Sequence, residues 1–375
     1  MRVIFAGIGI CLWYFVFQFF FGKMWSKGLK VKVYCDKELS YVGEQLNLIQ
    51  EIENKKWLPL VAIKVKYTTP NFWKFEGEEK GTSTDQYYRY DLFSINGYER
   101  IRRSYPFICT RRGYYVLGDV DVFVSDFFYT NEYVIREKQG QKIYVFANRV
   151  NTPSVDFYFR QMMGNLQSKR KLYEDPFSFA GVRDYQTFDS MRSINWKATA
   201  RTGQLKVNCL ECTAEPHVDI LLYFEQKNVE WDQKQEEYAI SLAVTYAERF
   251  LKEGIKVSVK SNGIDKESGK SIEIAGGASI QHLRTLDEDM ARIDLDQRKQ
   301  GWENADSFLD RGIQGEGLHL VITTSYAPVV QEKLREKLEE HKSVYWLLPH
   351  YRGERPGILP ELEKNVMELY SDEVL

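Results

Sequence analysis

This sequence has little net charge, few thiols and few imidazoles, and each shortage removes a class of function. Its 51 Lys and Arg against 53 Asp and Glu leave a formal charge of −2. No electrostatic surplus is available for phosphate binding, so nucleic-acid affinity is excluded as a primary role. The five cysteines (Cys11, Cys35, Cys109, Cys209 and Cys212) are an odd, sparse set; they form no disulfide framework and fit a reducing compartment. Cys209 and Cys212 make a C-x-x-C, but no second pair and no His pair lies at zinc spacing, so two unrelated thiols are expected. The five histidines (His217, His282, His319, His341 and His350) show neither H-E-x-x-H spacing nor a neighbouring nucleophile signature, and core or surface roles are expected. Gly263, Gly269 and Gly276-Gly277 lack the order of strand, glycine loop and helix, and the Lys-Ser/Thr of a phosphate cradle is missing. Neither a cofactor nor an enzyme is expected.

What is present is a chain of 375 residues with 43% hydrophobic and 28% charged residues, enough for two or three packed domains and incompatible with wholesale disorder. Its aromatics fall into zones: 9 in residues 1–25, 26 in residues 26–160 and 19 in residues 161–375. A strand-rich middle giving way to a region with helices accounts for the decline. Val3 to Gly22 carries no charge and one amide, Gln18, and a helix of that length spans about 30 Å. A cleaved signal would have a shorter apolar core and a small-residue cleavage site, whereas Phe19, Phe20, Phe21, Gly22 and Lys23 follow here, so an uncleaved anchor is expected. Arg2 precedes the segment, and Lys23, Lys27, Lys30 and Lys32 follow it with no acid before Asp36. The positive-inside rule then predicts a single-pass protein of the cell membrane with the bulk of the chain in the cytoplasm.

From Lys30 to about Val150, short apolar alternations predict an antiparallel β-sandwich: Leu46–Ile52, Leu60–Tyr67, Tyr87–Ile95, Arg102–Thr110, Tyr114–Val124 and Lys142–Phe146. Asn96-Gly97 is the strongest hairpin signal, because both positions of a tight primed turn need positive φ. Asp126-Phe127-Phe128-Tyr129 is either an exposed docking patch or an inter-domain or membrane-proximal contact.

Between this region and the last lies Gly181-Val182-Arg183-Asp184-Tyr185, followed by Asp189-Ser190-Met191-Arg192-Ser193-Ile194-Asn195-Trp196 and Ala200-Arg201. Asp189 or Ser190 can cap a helix starting near Met191, and Gly203 can end it in the left-handed conformation. Arg192, Asn195 or Trp196, and Thr199 would then share a face, with Arg183, Arg192 and Arg201 forming a small cationic surface beside Trp196. The series Gly181, Arg183, Tyr185, Asp189, Arg192, Asn195, Trp196, Ala200 and Arg201 resembles the bacterial "domain of unknown function 58" family. Arg112–Gly118 and Ser125-Asp126-Phe127 resemble that family's strand-rich region, and Phe188 departs from it where the family has glycine. The resemblance implies a membrane-anchored protein with a β-rich domain and a cytoplasmic domain like von Willebrand factor A. It also implies gene neighbours encoding MoxR-type AAA+ ATPases and transglutaminase-like membrane proteins.

After the signature, strands at His217–Phe224, Ile255–Val259, Leu318–Thr323 and Val344–Leu348 alternate with helices at Glu236–Leu251, Ser279–Leu286, Gly301–Leu309 and Val329–Glu340. That alternation predicts a Rossmann-like parallel sheet with helices on both faces. The fold class is therefore α+β multidomain. Residues 1–25 are the anchor, 30–150 the sandwich, 151–212 a linker with the signature, 213–350 the α/β domain and 351–375 a tail. Ligands in such sheets sit at the carboxyl ends of strands, where the von Willebrand A resemblance implies an Asp-x-Ser-x-Ser metal site. The triplet here is Tyr223, Glu225 and Lys227, and Ser325 beyond the next strand adds no acid, so a degenerate site is expected; the alternative is a cation site rebuilt from Glu225 with Asp232. The favoured expectation is a non-enzymatic scaffold working with a MoxR-type ATPase. Its interface residues would be Arg183, Asp184, Tyr185, Asp189, Arg192, Asn195, Trp196 and Arg201, unless the same segment only clamps two domains together through internal Arg/Asp pairs and a buried Trp. A metal-dependent ligand-binding module is the alternative function.

Overall fold

The computed structural model describes residues 2–75, 86–172, 174–186, 189–212, 216–225, 233–295, 304–315, 317–340, 343–353 and 356–371. It divides into two compact units, Met1–Asn148 with Met290–Arg292, and Arg149–Asp289 with Ile293–Leu375.

The first unit begins with helix α1 (Arg2–Met24) and continues in strands. These are β1 (Leu29–Cys35), β2 (Leu39–Tyr41), β3 (Gln45–Asn54), β4 (Leu60–Pro70), β5 (Trp73–Phe75), β6 (Gln86–Ile95), β7 (Arg100–Cys109), β8 (Gly113–Val116), β9 (Val120–Ser125), β10 (Glu132–Glu137) and β11 (Lys142–Phe146). Two antiparallel sheets, β1-β3-β7-β5 and β10-β9-β4-β6, accompany a small sheet β2-β11-β8 in which β2 and β11 run parallel. Alternation puts Val31, Val33, Leu46, Leu48, Ile63, Val65, Val122 and Val124 into one core drawn from both four-stranded sheets.

Two expectations change here. The run Tyr114–Val124 is two strands, since β8 pairs with β11 while β9 pairs with β4 and β10; Leu117 between them donates its N–H to Gln141 O at 3.0 Å. Asn96-Gly97 makes no hairpin, because β6 pairs with β4 and β7 with β3 and β5. The chain crosses between sheets at this point, and the left-handed residue is Tyr98 (φ 57°). Its N–H donates to Lys56 O at 3.0 Å, and buried Asn54 Nδ2 donates to Asn96 O at 2.9 Å and Leu58 O at 2.8 Å. Glycine is needed at 97 for close approach: a Cβ there would lie 2.3 Å from the Trp57 carbonyl oxygen.

Among the described residues α1 is the helix long and apolar enough to cross a membrane, and it is compatible with a single-pass anchor. Most of its large apolar side chains are exposed, but one face meets the loop after β9. Gln18 Nε2 donates to Asp126 Oδ2 at 2.7 Å and to Thr130 Oγ1 at 3.0 Å, and Asn131 Nδ2 donates to Gln18 Oε1 at 3.2 Å. Asp126 also accepts from the backbone N–H groups of Phe128, Thr130 and Asn131 at 2.9–3.0 Å. Burial by itself raises this carboxyl, and the donors from Gln18, Thr130 and Asn131 outweigh it, bringing it down to about 2.

The second unit contains α2 (Pro153–Leu172), β12 (Glu174–Asp184), a 3-10 turn at Met191–Ser193, α3 (Trp196–Thr202), β13 (Lys206–Cys212) and β14 (His217–Tyr223). There follow α4 (Gln233–Lys252), β15 (Lys256–Asp265), β16 (Ser271–Gly277), α5 (Ile280–Arg292), β17 (Ile293–Asp294), α6 (Ala305–Gly312), β18 (Leu318–Thr323), α7 (Pro328–Glu340), β19 (Val344–His350) and β20 (Val366–Tyr370). The main sheet runs β16-β15-β14-β18-β19-β20, parallel except at β16 and at β17, which both pair antiparallel with β15. Leu221, Tyr223, Val321, Trp346 and Leu348 pack with Phe308 of α6 and Leu334 of α7. Helix α4 lies along the same strands without joining that cluster, so helices cover both faces. Residues 351–375 are more than a tail, because β20 extends the sheet in parallel beside β19 and buries Met367 and Leu369. Residues 151–212 are likewise more than a linker, since they hold α2 and the β12–β13 pair.

Arg149 ties the start of this unit to two helices, pairing with Glu248 of α4 and, through Nη2 at 2.7 Å, with Asp287 of α5. Burial pushes the Asp287 carboxyl up despite that guanidinium. Arg149→Met should therefore strand a buried acid and destabilise the second unit by about 3 kcal/mol, read as a lowered urea midpoint of the detergent-solubilised chain. In the first unit, Gly97→Ala should cost about 1–3 kcal/mol by overpacking against the Trp57 carbonyl, read as a lowered urea midpoint, while Asn96→Ala should cost less.

Candidate functional site

The signature segment is an excursion between β12 and β13. Those strands pair antiparallel from Asp184 with Lys206 back to Gly181 with Cys209, and Tyr185 N–H donates to Leu205 O at 3.0 Å. Arg183 grips Asp189 through two guanidinium nitrogens, each at 2.6 Å. The same carboxylate accepts from Gln186 N–H at 2.9 Å, which closes the loop. Asp184 pairs with Lys206.

The single helix expected from Met191 to Gly203 is broken. Ser190 caps only the 3-10 turn; Ile194 is then extended (φ −63°, ψ 126°) and buried, bridging Val207. Asn195 starts α3 afresh, its Oδ1 accepting from Ala198 N–H at 2.9 Å while its Nδ2 donates to Asn208 Oδ1 at 2.7 Å. Gly203 ends α3 at φ 68°, as its position suggests. Because of the break, Arg192 lies outside the helix that carries Trp196 and Thr199, so the shared face does not form. Arg183 is engaged by Asp189, and the three-arginine surface reduces to exposed Arg192 and Arg201. Within the second unit Trp196 is 64% exposed and Met191 65%. Phe188 lies outside the described residues.

The second location is the switch point of the main sheet, between the carboxyl ends of β14 and β18, where strand order reverses. Ser325 is fully buried and its hydroxyl donates to the Glu225 carboxylate; Ala327 N–H donates back to Ser325 Oγ at 3.2 Å. Phe224 is locked to Asn262 by reciprocal bonds, N–H to Oδ1 and Nδ2 to O, both 2.8 Å. Tyr223 is buried against Phe308, ring centroids 5.7 Å apart. Burial, then Glu225 and Asp306, pushes its phenol up to about 12, so it offers no ionised oxygen. Among the described residues, the Glu225 carboxylate and the Ser325 hydroxyl are the paired oxygens here, fewer than a hard divalent ion requires. Lys227 and Asp232 lie outside the described residues, and among the described residues no cluster of three His, Cys, Asp or Glu suits a metal.

One buried polar row has no motif to announce it. Asp219 on β14 sits in register with Ser258 on β15 and His319 on β18. Ser258 donates to its carboxylate, and His319 Nδ1 lies 3.2 Å from it with the ring fully buried. The serine is bonded to the acid rather than to the imidazole, which is not the order a nucleophile needs. The row also lies toward the amino ends of the strands, away from the switch point. The available signal was an acid inside an otherwise apolar strand. His341 and the side chains of Cys209 and Cys212 lie outside the described residues.

Burial by itself raises the Asp219 carboxyl, and the bonds from His319 and Ser258 outweigh it, so the net shift is down. A lowered carboxylate contributes stability that is present above its ordinary range near pH 4 and is lost as pH falls below it. The urea midpoint of the second unit should thus drop between about pH 5 and pH 3, and Asp219→Asn should flatten that drop.

Comparison with curated proteins finds no match. Among solved structures, the sporulation control protein Spo0M of Bacillus subtilis is similar at 12% identity and a TM-score of 0.18, over 42% of this chain and 58% of that one. A CARDB domain from Pyrococcus furiosus matches at 13% identity and a TM-score of 0.18, over 30% of this chain and 94% of that one. A β-glucosidase from Listeria innocua matches at 12% identity and a TM-score of 0.15, over 31% and 16%. The chain thus spans little more than half of Spo0M, and none of these likenesses carries a functional argument. The signature and the sheet after it do match a family: residues 181–345 fit the profile described as protein of unknown function DUF58. That match covers less than half of the chain, and it makes this segment similar to the DUF58 family.

Proposed function

We propose that the protein is a non-enzymatic, membrane-anchored interaction protein that presents the signature segment to a protein partner. The first unit is then a β-sandwich built from its two four-stranded sheets, and the second a von Willebrand factor A-like domain with a degenerate metal site. The observation that carries this reading is the exposure of Trp196, Met191, Arg192, Arg201 and Leu205 along one short segment. Its frame is held by internal bonds that use other side chains, Arg183 with Asp189 and Asn195 with Asn208. A rigid frame that leaves Trp and Arg facing solvent suits a docking hot spot, where those residue types predominate, and the surface complementary to it is acidic with an apolar pocket. A MoxR-type AAA+ ATPase is the proposed partner, with a transglutaminase-like membrane protein as a second component, in envelope or complex assembly on the cytoplasmic side of the cell membrane.

The test is capture of a co-expressed MoxR-type ATPase by the full chain in lipid nanodiscs. Trp196→Ala, alone and with Arg192→Ala and Arg201→Ala, should reduce capture at least tenfold, the loss of about 1.4 kcal/mol or more. Melting should stay close to that of the unaltered chain, since exposed side chains contribute little to stability. Undiminished capture, or variants that fail to fold, overturns the reading.

A second reading, a cation-dependent ligand-binding module, is favoured by the meeting of Glu225 with Ser325 at the switch point. Titration of the chain with Mg²⁺, Mn²⁺ and Ca²⁺ distinguishes the two. Micromolar affinity abolished by Glu225→Ala would establish the cation site; the expected result is no such binding.

A further inference from the structure

The anchor and the first unit are packed in a way that constrains how deep the helix can sit. Phe128 touches α1 at Trp13 and Tyr14, with ring centroids 6.5 and 5.3 Å apart, and at Phe17, 6.0 Å away. Phe127 reaches Phe17 at 5.7 Å and Phe21 at 6.2 Å, and Tyr14 OH lies 3.0 Å from Thr130 Oγ1. From Val3 to Tyr14 a helix advances only about 16 Å, about half the hydrocarbon thickness of a bilayer. If α1 uses its apolar length as a span, the loop after β9 cannot remain in water.

A second loop flanks the same helix. Trp57 and Leu58, between β3 and β4, line an apolar groove with Trp13, Val16, Phe20 and Met24 of α1. Trp57 is 63% exposed, and on the other loop Tyr129 is 66% exposed at φ 55°. Trp and Tyr beside an apolar helix are the residues that settle at the level of lipid headgroups. Cations stand next to them. Lys23 closes α1, Lys27 follows it, and exposed Lys55 is held at the helix exit by its N–H, which donates to Gly28 O at 2.8 Å. Such lysines suit an anionic lipid surface.

We propose that the Trp57 loop and the Phe127–Tyr129 loop enter the interfacial layer of the same bilayer that takes α1, so that the first unit rests on lipid. The occupant of the groove between Trp57 and α1 is a phospholipid acyl chain. The polar contacts of Gln18 with Asp126, Thr130 and Asn131 satisfy the one amide of the helix at a depth where water is scarce. This inference rests on α1 being a membrane anchor, and the test separates the two.

The full chain is placed in vesicles of phosphatidylethanolamine and phosphatidylglycerol. These carry a phospholipid whose diazirine lies in the upper acyl chain, and the adducts formed on illumination are mapped by mass spectrometry. Adducts are expected on α1 and also on the peptides holding Trp57 and Phe127–Tyr129. Adducts on α1 alone overturn the proposal and leave the anchor standing, because something other than lipid then covers the loops. Adducts on neither overturn the anchor and the proposal together. Replacing Trp57 and Phe128 by Ser should abolish labelling of the two loops while α1 remains labelled; loop labelling that persists unchanged also overturns the proposal.

Discussion

Gln18, the one amide of the apolar run of α1, takes its hydrogen-bond partners from the loop after β9, and the packing of helix on strands turns on that contact. Gln18 meets a loop preassembled for it. Asp126 gathers backbone donors from Phe128, Thr130 and Asn131, which close the loop on its carboxylate. Its aromatics are then carried against Trp13, Tyr14, Phe17 and Phe21. Helix and strands therefore form one packed body with a shared core that includes Phe21 and Trp25. A tether would need none of these contacts.

The second unit obeys a different constraint. A parallel sheet buried on both faces tolerates polar atoms only when they are paired. Asp219 is tolerated because Ser258 and His319 face it from the two neighbouring strands. Glu225 at the opposite end accepts a hydrogen bond from buried Ser325. Exposed Trp and Arg side chains lie on the excursion between β12 and β13. There Arg183 and Asp189 secure the backbone while Trp196 and Arg201 face outward. The same short motif thus supplies both the frame and the surface.

Legibility in the sequence was uneven, for physical reasons. Strands such as β4, β11 and β18 were readable because their alternation or continuous apolarity extends over the whole element. Asn96-Gly97 misled because it satisfies the local demand of a primed turn, while pairing partners are chosen by contacts far along the chain, here the Asn54 to Leu58 loop. The signature helix misled similarly: Met191 to Thr202 suits a helix locally, yet Ile194 gains more by burial beside Val207 than by continuing the turn. Strand β20 was invisible because Val366–Tyr370 is short and comes after a polar stretch; only β19 makes it a strand. In the signature segment, which side chains turn inward was not readable, because that depends on where Ile194 is buried beside Val207.

The sequence alone determined the features that local composition sets: an apolar helix of membrane length, a strand-rich stretch, an alternating α/β region, and a motif that resembles one family. Each of these depends on residues close together in the chain. Tertiary structure alone decided that Gln18 is matched by Asp126, that β6 and β7 belong to different sheets, that Glu225 meets Ser325, and that Trp196 is exposed. Those outcomes depend on which surfaces meet across long stretches of sequence, and no local pattern of hydrophobicity or turn propensity encodes that.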